Sequence, residues 1–290
     1  MANRASRTAW GPIVQVAFEQ YVPHPQRIIQ DGLAYHFLPP SMKLYVSVGR
    51  SDTVRNQLFA IVERRVPGIR GGILCRKRYI HEKLLDRMHR GLQTLVILGA
   101  GMDTLAYRIP DVSTLQVYEV DLPEIIERKK AVLIRLFGKV PDQIRLVSVD
   151  FNRQEVGEVI QEAGYTYESR SIFIWEGVTQ YISESAIGKI FGFIQKACLG
   201  SWLVFTYIRK DFIEGQKMYD LEVLYRLTRQ QKEFWQFGMN PGEVSDFLET
   251  YGWRELDQAG SAEYQQRYFQ PSGRIMPVME VERCVYAEKI

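Results

Sequence analysis

The stretch VILGAGMDTLAYRI, residues 96–109, decides the fold class of this chain. An apolar run leads into Gly99, Ala100 and Gly101, and apolar residues resume after it at helical spacing. This pattern is typical of a buried strand that passes into a helix around a nucleotide-like ligand. A dinucleotide fingerprint would place a third glycine or an alanine at position 104, but Thr104 stands there, and Asp103 lies where phosphates would approach. The motif therefore predicts a nucleotide-like ligand, but it does not predict that this ligand carries phosphate groups.

The sequence around this loop predicts an alternation of strands and helices. From Thr94 onward, five continuous apolar runs predict buried strands: TLVIL (94–98), LQVYEVD (115–121), IRLVSVD (144–150), IFIWEG (172–177) and WLVFTYI (202–208). Continuous apolar runs indicate parallel strands that are covered on both faces. Helices that begin near Pro123 and Ser183 lie between them, which indicates a doubly wound α/β sheet. Two more strand candidates, WRELDQA and EVERCVYAE, follow near the C-terminus.

The remaining segments predict helices. Residues 1–90 show no strand alternation and are interrupted by prolines, so we expect a helical cap there and a core domain over residues 91–290. A charged stretch at roughly residues 214–236 predicts one long helix, and Pro241 opens another.

The composition limits the classes of function that are compatible with the sequence. The chain has 290 residues, 46% of them hydrophobic and 24% charged, as in ordinary globular proteins. Its net charge of +3 is too small to favour a nucleic-acid partner. The N-terminus lacks the apolar core of a signal peptide, and no uncharged apolar stretch approaches about 18 residues, so we expect a cytoplasmic protein without a membrane span. The three cysteines are far apart, which favours reduced thiols, and we expect no metal site.

Acidic residues follow the predicted strands at the edge where ligands bind in such sheets. The second strand ends with Glu119 and Asp121, the third with Asp150 and the fourth with Glu176. A phosphate near such an acid would cost on the order of 4 kcal/mol, taking like charges about 4 Å apart and an effective dielectric of about 20. S-adenosylmethionine avoids this cost, because it carries an ammonium and a sulfonium against one carboxylate. An acid about 20 residues after the glycines also suits ribose hydroxyl groups.

Several segments in order resemble one family: LGAGMDT, EVDLPEIIERK, VDFN, WEGVTQYI and FGMNPGEVSDFLETYGW. They resemble the leucine carboxyl methyltransferase family of class I methyltransferases, and more closely its bacterial O-methyltransferase branch, which includes polyketide-tailoring enzymes. The resemblance runs from about residue 70 to the end of the chain. It implies a Rossmann-like, mostly parallel seven-stranded sheet with an antiparallel last strand, helices on both faces and an N-terminal helical lid.

The resemblance also implies cofactor contacts. The glycine loop would pass under the methionine part of S-adenosylmethionine, Asp121 would hold the ribose and Asp150 would face the adenine. Arg76, or as second choice Arg78, would bind the carboxylate of the cofactor. The full candidate set for cofactor binding is Arg76, Arg78, Gly99, Ala100, Gly101, Asp103, Glu119, Asp121, Asp150, Phe151 and Glu176.

Three residues are candidates for catalysis. The resemblance places Glu176 close to the methyl group and Tyr181 in the same cavity. The histidines all precede the glycine loop, and His36, in AYHFLPP, is a candidate base. In WEGVTQYI, Thr179 and Gln180 stand where the bacterial branch usually has apolar residues, which leaves substrate contacts there open.

The resulting hypothesis is O-methylation of a carboxyl or hydroxyl group on a small molecule, in a secondary-metabolite pathway of polyketide type, with S-adenosylhomocysteine as product. A carboxylate is already ionised at neutral pH, whereas a hydroxyl group needs a base. Two alternatives stay open: carboxyl methylation of a protein or peptide C-terminus, and an NAD-type oxidoreductase. The sequence specifies no oligomeric state.

One group of aromatic residues either lines an acceptor cavity or belongs to the core. Its members are Trp202, Tyr207, Phe212, Trp235, Phe237, Tyr264, Tyr268 and Phe269.

Overall fold

The computed structural model describes residues 10–230 and 235–290. Its centre is a seven-stranded sheet in the order β3-β2-β1-β4-β5-β7-β6. The strands are β1 (Thr94–Leu98), β2 (Gln116–Asp121), β3 (Ile144–Ser148), β4 (Ser171–Trp175), β5 (Trp202–Ile208), β6 (Trp253–Ala259) and β7 (Glu282–Lys289). All seven sequence-based strand predictions are confirmed, with bounds that differ by two residues or fewer.

The pairing of the strands is mixed. Strands β1 to β5 are parallel to one another, whereas β7 runs antiparallel to both β5 and β6. This confirms the Rossmann-like sheet with an antiparallel last strand. Because β7 is inverted, its first residues lie at the same edge of the sheet as the carboxyl ends of the parallel strands.

Both faces of the sheet are covered. In β1, Leu95 and Ile97 belong to one hydrophobic cluster, while Val96 and Leu98 belong to the other. Since successive side chains of a strand point to opposite faces, one cluster lies on each side. Buried positions on both faces explain the continuous apolar runs that predicted these strands.

Within residues 10–93, five α-helices precede the sheet. They are α1 (Trp10–Glu19), α2 (Ala34–Phe37), α3 (Pro40–Val48), α4 (Asp52–Arg65) and α5 (Ile69–Met88). Ile13 of α1, Phe37 of α2 and Leu74 of α5 share the cluster that contains Leu95. The N-terminal helices thus contribute to the core of the sheet domain. The division into domains at residue 90 stays a prediction, and residues 1–9 of the expected cap lie outside the described residues.

The helices after β1 complete both layers. They are α6 (Leu105–Arg108), α7 (Pro123–Phe137), α8 (Val156–Glu162), α9 (Glu184–Ile194), α10 (Lys210–Ile213), α11 (Glu222–Gln230), α12 (Val244–Glu249), α13 (Ser261–Tyr264) and α14 (Gln270–Ser272). The Ser183 side chain caps α9 by accepting a hydrogen bond from the Ala186 amide. No helix within residues 10–230 and 235–290 is long and apolar enough to cross a membrane.

The prediction of one long helix over residues 214–236 is wrong. The described part of this stretch holds only α11, preceded by a turn. Gly215, Tyr219 and Asp220 have positive φ angles of 78°, 54° and 59°, a left-handed backbone that a right-handed helix cannot continue. Residues 231–234 of the predicted helix lie outside the described residues.

From β1 the chain adds β2 and β3 toward one edge of the sheet. It then returns to the centre, places β4 on the other side of β1, and builds toward the opposite edge. In open α/β sheets such a switch point leaves a crevice beyond the carboxyl ends of the strands. The glycine loop follows β1 and Glu176 follows β4, so both lie at this crevice.

Candidate active site

A cavity of about 710 Å³ opens at the switch point. Ligand pockets in proteins range over about 300–1,000 Å³, so this cavity has the volume for a nucleoside cofactor and part of a second molecule. One side, which we call the loop wall, consists of residues 99–103 with Asp121 and Asp150. A second group of lining residues, which we call the apolar wall, consists of Ile208, Leu224, Trp235 and Met279.

The loop wall depends on glycine at its first position. Gly99 has a φ of +73°, and a Cβ there would lie 2.3 Å from Cγ2 of Val178. Neither the backbone conformation nor the contact tolerates a side chain. The loop therefore lies against the segment that follows β4.

Asp121 fastens the same loop to β2. Its Oδ2 accepts a hydrogen bond from the Gly101 amide at 2.7 Å, and its Oδ1 accepts one from the Leu122 amide at 2.7 Å. Burial raises the pKa of Asp121 above its ordinary value, although these two backbone donors oppose the rise. Asp121 thus presents a carboxyl group to the cavity from a fixed position.

Arg76 of α5 joins the ends of two strands. Its Nε donates to Oε1 of Glu176 at 2.7 Å, and its Nη1 donates to Oε1 and Oε2 of Glu282 at 2.6 and 2.5 Å. Burial disfavours the charged guanidinium, but the carboxylates of Glu282 and Glu176 outweigh it and raise the pKa of Arg76. Arg76 is therefore a buried cation that holds β4 and β7 together.

Close approach of α5 to the chain before β7 makes this contact possible. A Cβ on Gly71 would lie 2.1 Å from the carbonyl oxygen of Pro277, so the helix touches this segment with its bare backbone. Arg76, little more than one turn later, then reaches Glu282 at the start of β7.

Lys77 balances the charge of Asp103. Its Nζ lies 2.5 Å from Oδ2 of Asp103 and 3.1 Å from Oε1 of Glu176. Burial would raise the pKa of Asp103, but Lys77 and Arg108 hold it well below its ordinary value. This corrects one step of the sequence argument: Lys77 compensates the Asp103 charge, so Asp103 alone does not exclude a phosphate.

Seven other candidates join Arg76, Asp103 and Asp121 in the cavity lining. They are Gly99, Ala100, Gly101, Asp150, Phe151, Glu176 and Tyr181. The structure brings these ten residues together at one edge of the sheet.

Three candidates do not line the cavity, and the position of each one in its helix or strand explains why. Arg78 lies two residues beyond Arg76, about 200° around the helix, and is paired with Glu82 at 2.6 Å. Glu119 is fully buried one pleat below Asp121. His36 has an exposed side chain, and its carbonyl oxygen accepts a hydrogen bond from Arg135 at 3.1 Å.

Glu119 belongs to a closed ion pair. It lies 2.7 Å from Nζ of Lys129, both side chains are fully buried, and the Tyr107 hydroxyl donates to its second oxygen. Burial raises its pKa, while Lys129 and Tyr107 lower it. Glu119 thus supports the loop from behind and is not available to a ligand.

Sequence reasoning missed Lys77 and Glu282 in the cavity. Glu282 could have been found, because the first residue of an antiparallel strand lies at the same edge as the carboxyl ends of the parallel strands. It also missed the apolar wall, apart from Trp235, which was one of eight aromatic candidates. Most of the other seven belong to the core clusters, with Trp202 at 3% exposed and Tyr207 at 0%.

The residues present fit the charge of S-adenosylmethionine. Five carboxylates line the cavity, from Asp103, Asp121, Asp150, Glu176 and Glu282, against the two cations Arg76 and Lys77. Both cations are already paired with acids, so the cavity keeps an excess of negative charge for a cationic ligand. Across the described ranges, no cluster of three or more metal-ligating side chains is present.

Comparison with known proteins agrees with this picture. The family model described as leucine carboxyl methyltransferase matches residues 9–195. A Mycobacterium avium protein named for S-adenosyl-L-methionine-dependent methyltransferase activity is 33% identical over 138 residues, which are 47% of this chain and 46% of that protein. A Mycolicibacterium smegmatis protein of similar name is 29% identical over 208 residues, 68% of this chain and 66% of that protein. The chain thus spans about half the length of the first mycobacterial relatives that it matches.

Two solved structures share the fold. A protein of Thermobifida fusca described as a methyltransferase has a TM-score of 0.58 at 14% identity, over 81% of this chain and 87% of that chain. A DUF574 family protein of Streptomyces avermitilis has a TM-score of 0.55 at 13% identity, over 95% of this chain and 97% of that chain. Both mycobacterial relatives are named for dependence on S-adenosyl-L-methionine, and neither name supports the NAD-type alternative.

Proposed function

Because the chain belongs to the leucine carboxyl methyltransferase family, we propose that it is an S-adenosylmethionine-dependent O-methyltransferase that acts on a carboxyl or hydroxyl group of a small molecule. The resemblance to the bacterial branch supports a place in secondary metabolism of polyketide type. Its immediate partners are then the cofactor and a small acceptor molecule.

The observation that carries this proposal is the contrast between the two sides of one cavity. The loop wall presents the backbone of residues 99–101 and the carboxyl groups of Asp121 and Asp150, which suit a nucleoside with positive charge. The apolar wall faces the same space and offers contacts for a second, mainly apolar molecule. A cavity that holds a cofactor and an acceptor side by side is what group transfer requires.

The loop wall and three neighbouring residues, Arg76, Phe151 and Glu176, would hold the cofactor. Gly99 to Gly101 would lie under its methionine part, Asp121 would accept hydrogen bonds from the ribose, and Asp150 with Phe151 would border the adenine. Arg76 is the candidate for the cofactor carboxylate, and Glu176 for the amino group. When bound, the cofactor supplies a methyl group on a sulfonium, which an oxygen lone pair of the acceptor receives as the sulfur–carbon bond breaks.

The protein's main contribution would be positioning. Holding two reactants in line can supply roughly 7–11 kcal/mol of the barrier. A carboxylate acceptor releases no proton, whereas a hydroxyl acceptor releases one, which a cavity carboxylate or water would take. None of the described residues that line the cavity is a histidine, and His36 lies elsewhere, so His36 has no base role in this proposal.

Calorimetry with S-adenosylhomocysteine tests the cofactor role. We expect the wild-type chain to bind it and Asp121→Ala to bind at least tenfold more weakly, because the ribose loses its carboxylate partner. Glu124→Ala is the matched control, since Glu124 is an exposed acid three residues later. Unchanged affinity in Asp121→Ala would refute the ribose role, and tight binding of NAD instead would favour an oxidoreductase.

Labelled cofactor tests the reaction. Incubation of the chain with methyl-labelled cofactor and an extract of its own organism should label a small molecule. A base-labile label identifies an ester and a carboxyl acceptor, while a stable label identifies an ether and a hydroxyl acceptor. Label confined to the protein fraction would contradict the small-molecule proposal and favour carboxyl methylation of a protein C-terminus.

A further inference from the structure

One peptide unit of the glycine loop is held at both ends. The amide of Gly101 donates a hydrogen bond to Oδ2 of Asp121 at 2.7 Å. The carbonyl oxygen of Ala100, at the other end of the same peptide unit, accepts one from Nζ of Lys129 at 3.2 Å. This oxygen also accepts a bond from the amide of Asp103 at 3.1 Å, which closes the turn of the loop. Because a peptide unit is planar and rigid, Lys129 and Asp121 hold one body between them.

Lys129 occupies a position where helical spacing predicts an apolar residue. The buried face of α7 consists of Ile125, Ile126, Lys129 and Leu133, and Lys129 is 0% exposed. Its ion pair with Glu119, at 2.7 Å, compensates the charge but does not explain why a charge is present there. Buried ion pairs are often no more stabilising than apolar side chains of similar volume. The hydrogen bond to the loop is a contact that an apolar side chain could not make.

The two partners of this peptide unit have opposite charges, and each lies at the matching end of its dipole. The ammonium group of Lys129 lies at the carbonyl oxygen and the carboxylate of Asp121 at the amide hydrogen, so the two hydrogen bonds strengthen each other. Burial raises the pKa of Asp121, while the amides of Gly101 and Leu122 and then the Lys129 cation lower it. Lys129 thus favours both the orientation and the ionised form of the Asp121 carboxylate.

We infer that Lys129 is a positioning residue for the cofactor, which holds the Asp121 carboxylate toward the ribose through the peptide unit between Ala100 and Gly101. Lys129 does not line the cavity, so it acts without touching the cofactor. Because Asp121 is the proposed partner of the ribose, this role rests on the proposed function and extends it to a residue behind the loop.

A charge-balanced exchange tests this role in the full-length chain. Lys129→Met alone would leave Glu119 buried without compensation, so it is combined with Glu119→Gln. We expect this pair of substitutions to give a chain that unfolds cooperatively in urea and binds S-adenosylhomocysteine at least about fivefold more weakly in calorimetry, roughly the effect of one lost hydrogen bond. Lys129→Leu with Glu119→Gln is a second balanced pair. A smaller loss of affinity in a folded pair overturns the inference, and so does a failure of both pairs to fold, because Lys129 would then be a structural residue.

The ribose hydroxyl groups provide a readout that a purely structural role would not change. The 2′,3′-dideoxy analogue of S-adenosylhomocysteine lacks both of them, so it has nothing to donate to Asp121. We expect the wild-type chain to prefer S-adenosylhomocysteine over this analogue at least about tenfold, as for hydrogen bonds to a charged group, and a folded balanced pair to keep no more than about a third of that preference. If the pair keeps more of the preference, Lys129 acts on the fold as a whole and the inference is overturned.

Two further variants assign the effect. Lys130→Met is the matched control, since Lys130 is the next residue of α7 and is exposed, and its affinity should stay within about twofold of the wild-type value. Equal weakening in Lys130→Met would trace the effect to the charge of the helix and overturn the inference. In an Asp121→Ala background, the balanced pair should change the affinity by less than about twofold, because the route through Asp121 is already lost. A larger change there would bypass Asp121 and would also overturn it.

The same titrations distinguish this role from the proposed function. If Asp121→Ala weakens binding of S-adenosylhomocysteine and the balanced pairs do not, the inference fails and the proposed function stands. If the wild-type chain does not bind S-adenosylhomocysteine, the proposed function fails, and the role of Lys129 fails with it.

Discussion

The two walls of the cavity differ in how they are built. The loop wall comes from three consecutive strand ends, and its shape is set by local features: the positive φ of Gly99 and the hydrogen bond from Gly101 to Asp121. The apolar wall is assembled from β5, α11, Trp235 and the chain before β7, which are far apart in the sequence. A wall built from local sequence features suits a cofactor that related enzymes share. A wall assembled from distant segments suits an acceptor that differs from one enzyme to another.

Arg76 is the link between the two sides, since Glu176 follows β4 and Glu282 opens β7. We expect Arg76→Met to have the largest effect, a loss of about 3–5 kcal/mol in the free energy of unfolding. The reason is that removing one partner leaves buried carboxylates without compensation. Urea unfolding followed by circular dichroism measures this loss.

A double variant tests the cause of that loss. Arg76→Met combined with Glu282→Leu removes an uncompensated charge together with the cation, so it should recover part of the stability lost in Arg76→Met. Glu176 still has Lys77 nearby, at 3.1 Å. If the double variant loses more free energy of unfolding than the two single variants lose together, buried charge is not the source of the effect.

Gly99→Ala isolates the loop wall. We expect a loss of about 3 kcal/mol, because the left-handed backbone costs about 1–2 kcal/mol and the new Cβ overlaps Val178. Gly138→Ala is the matched control: its φ is +77°, and its Cβ would meet nothing within 4 Å. The control should therefore lose only about 1–2 kcal/mol, and equal losses in the two variants would show that the Val178 contact is unimportant.

The residues tested above differ in whether the sequence alone could predict their position. Gly99, Asp121 and Glu176 were predicted because a strand-end rule places them from local sequence alone. Glu119 satisfied the same rule but is closed off by Lys129, a residue ten positions later whose buried pairing no local pattern indicates. The rule identifies the edge of the sheet, and tertiary packing then decides which acids remain open.

The apolar wall could not be predicted for a related reason. Ile208 and Met279 are apolar residues in apolar surroundings, and nothing in the sequence separates a cavity-lining position from a core position. In the sequence, Gln180 stands out only because the bacterial branch usually has an apolar residue at that position. The structure adds that no described residue forms a hydrogen bond with its Oε1. Sequence reasoning therefore predicted the residues on the cofactor side of the cavity and not those of the apolar wall.

His81 tests the support behind the loop wall. Its Nδ1 lies 3.0 Å from Nη1 of Arg108, and burial, then the cations Arg108 and Arg78, lower its pKa to about 4 from 6.5. The unfolded chain thus binds more protons between these values, so the stability from neutral His81 is complete above about pH 6.5 and declines as the pH falls toward 4.

We expect the wild-type chain to lose about 1 kcal/mol more than His81→Gln between pH 7 and pH 5. This figure is reduced from the full linkage value because the side chain is only half-buried and solvent screens its neighbours. Urea unfolding of both chains at the two pH values gives the difference. Parallel losses would mean that His81 is as exposed as a surface histidine, and that Arg108 does not constrain it.

Arg78→Ala should have the smallest effect, although Arg78 and Arg76 are two positions apart on one helix. The side chain of Arg78 is 42% exposed, and its partner Glu82 lies on the same outer face. Such exposed i,i+4 pairs contribute about 0.3–0.5 kcal/mol, so we expect a loss below about 0.5 kcal/mol and an S-adenosylhomocysteine affinity within about twofold of the wild-type value. A tenfold weaker affinity would mean that α5 presents a different face to the cavity when the cofactor is bound. The same helix turn that aims Arg76 at Glu176 and Glu282 aims Arg78 at Glu82 and the carbonyl oxygen of Ile28. Calorimetry on the two single variants measures that difference directly.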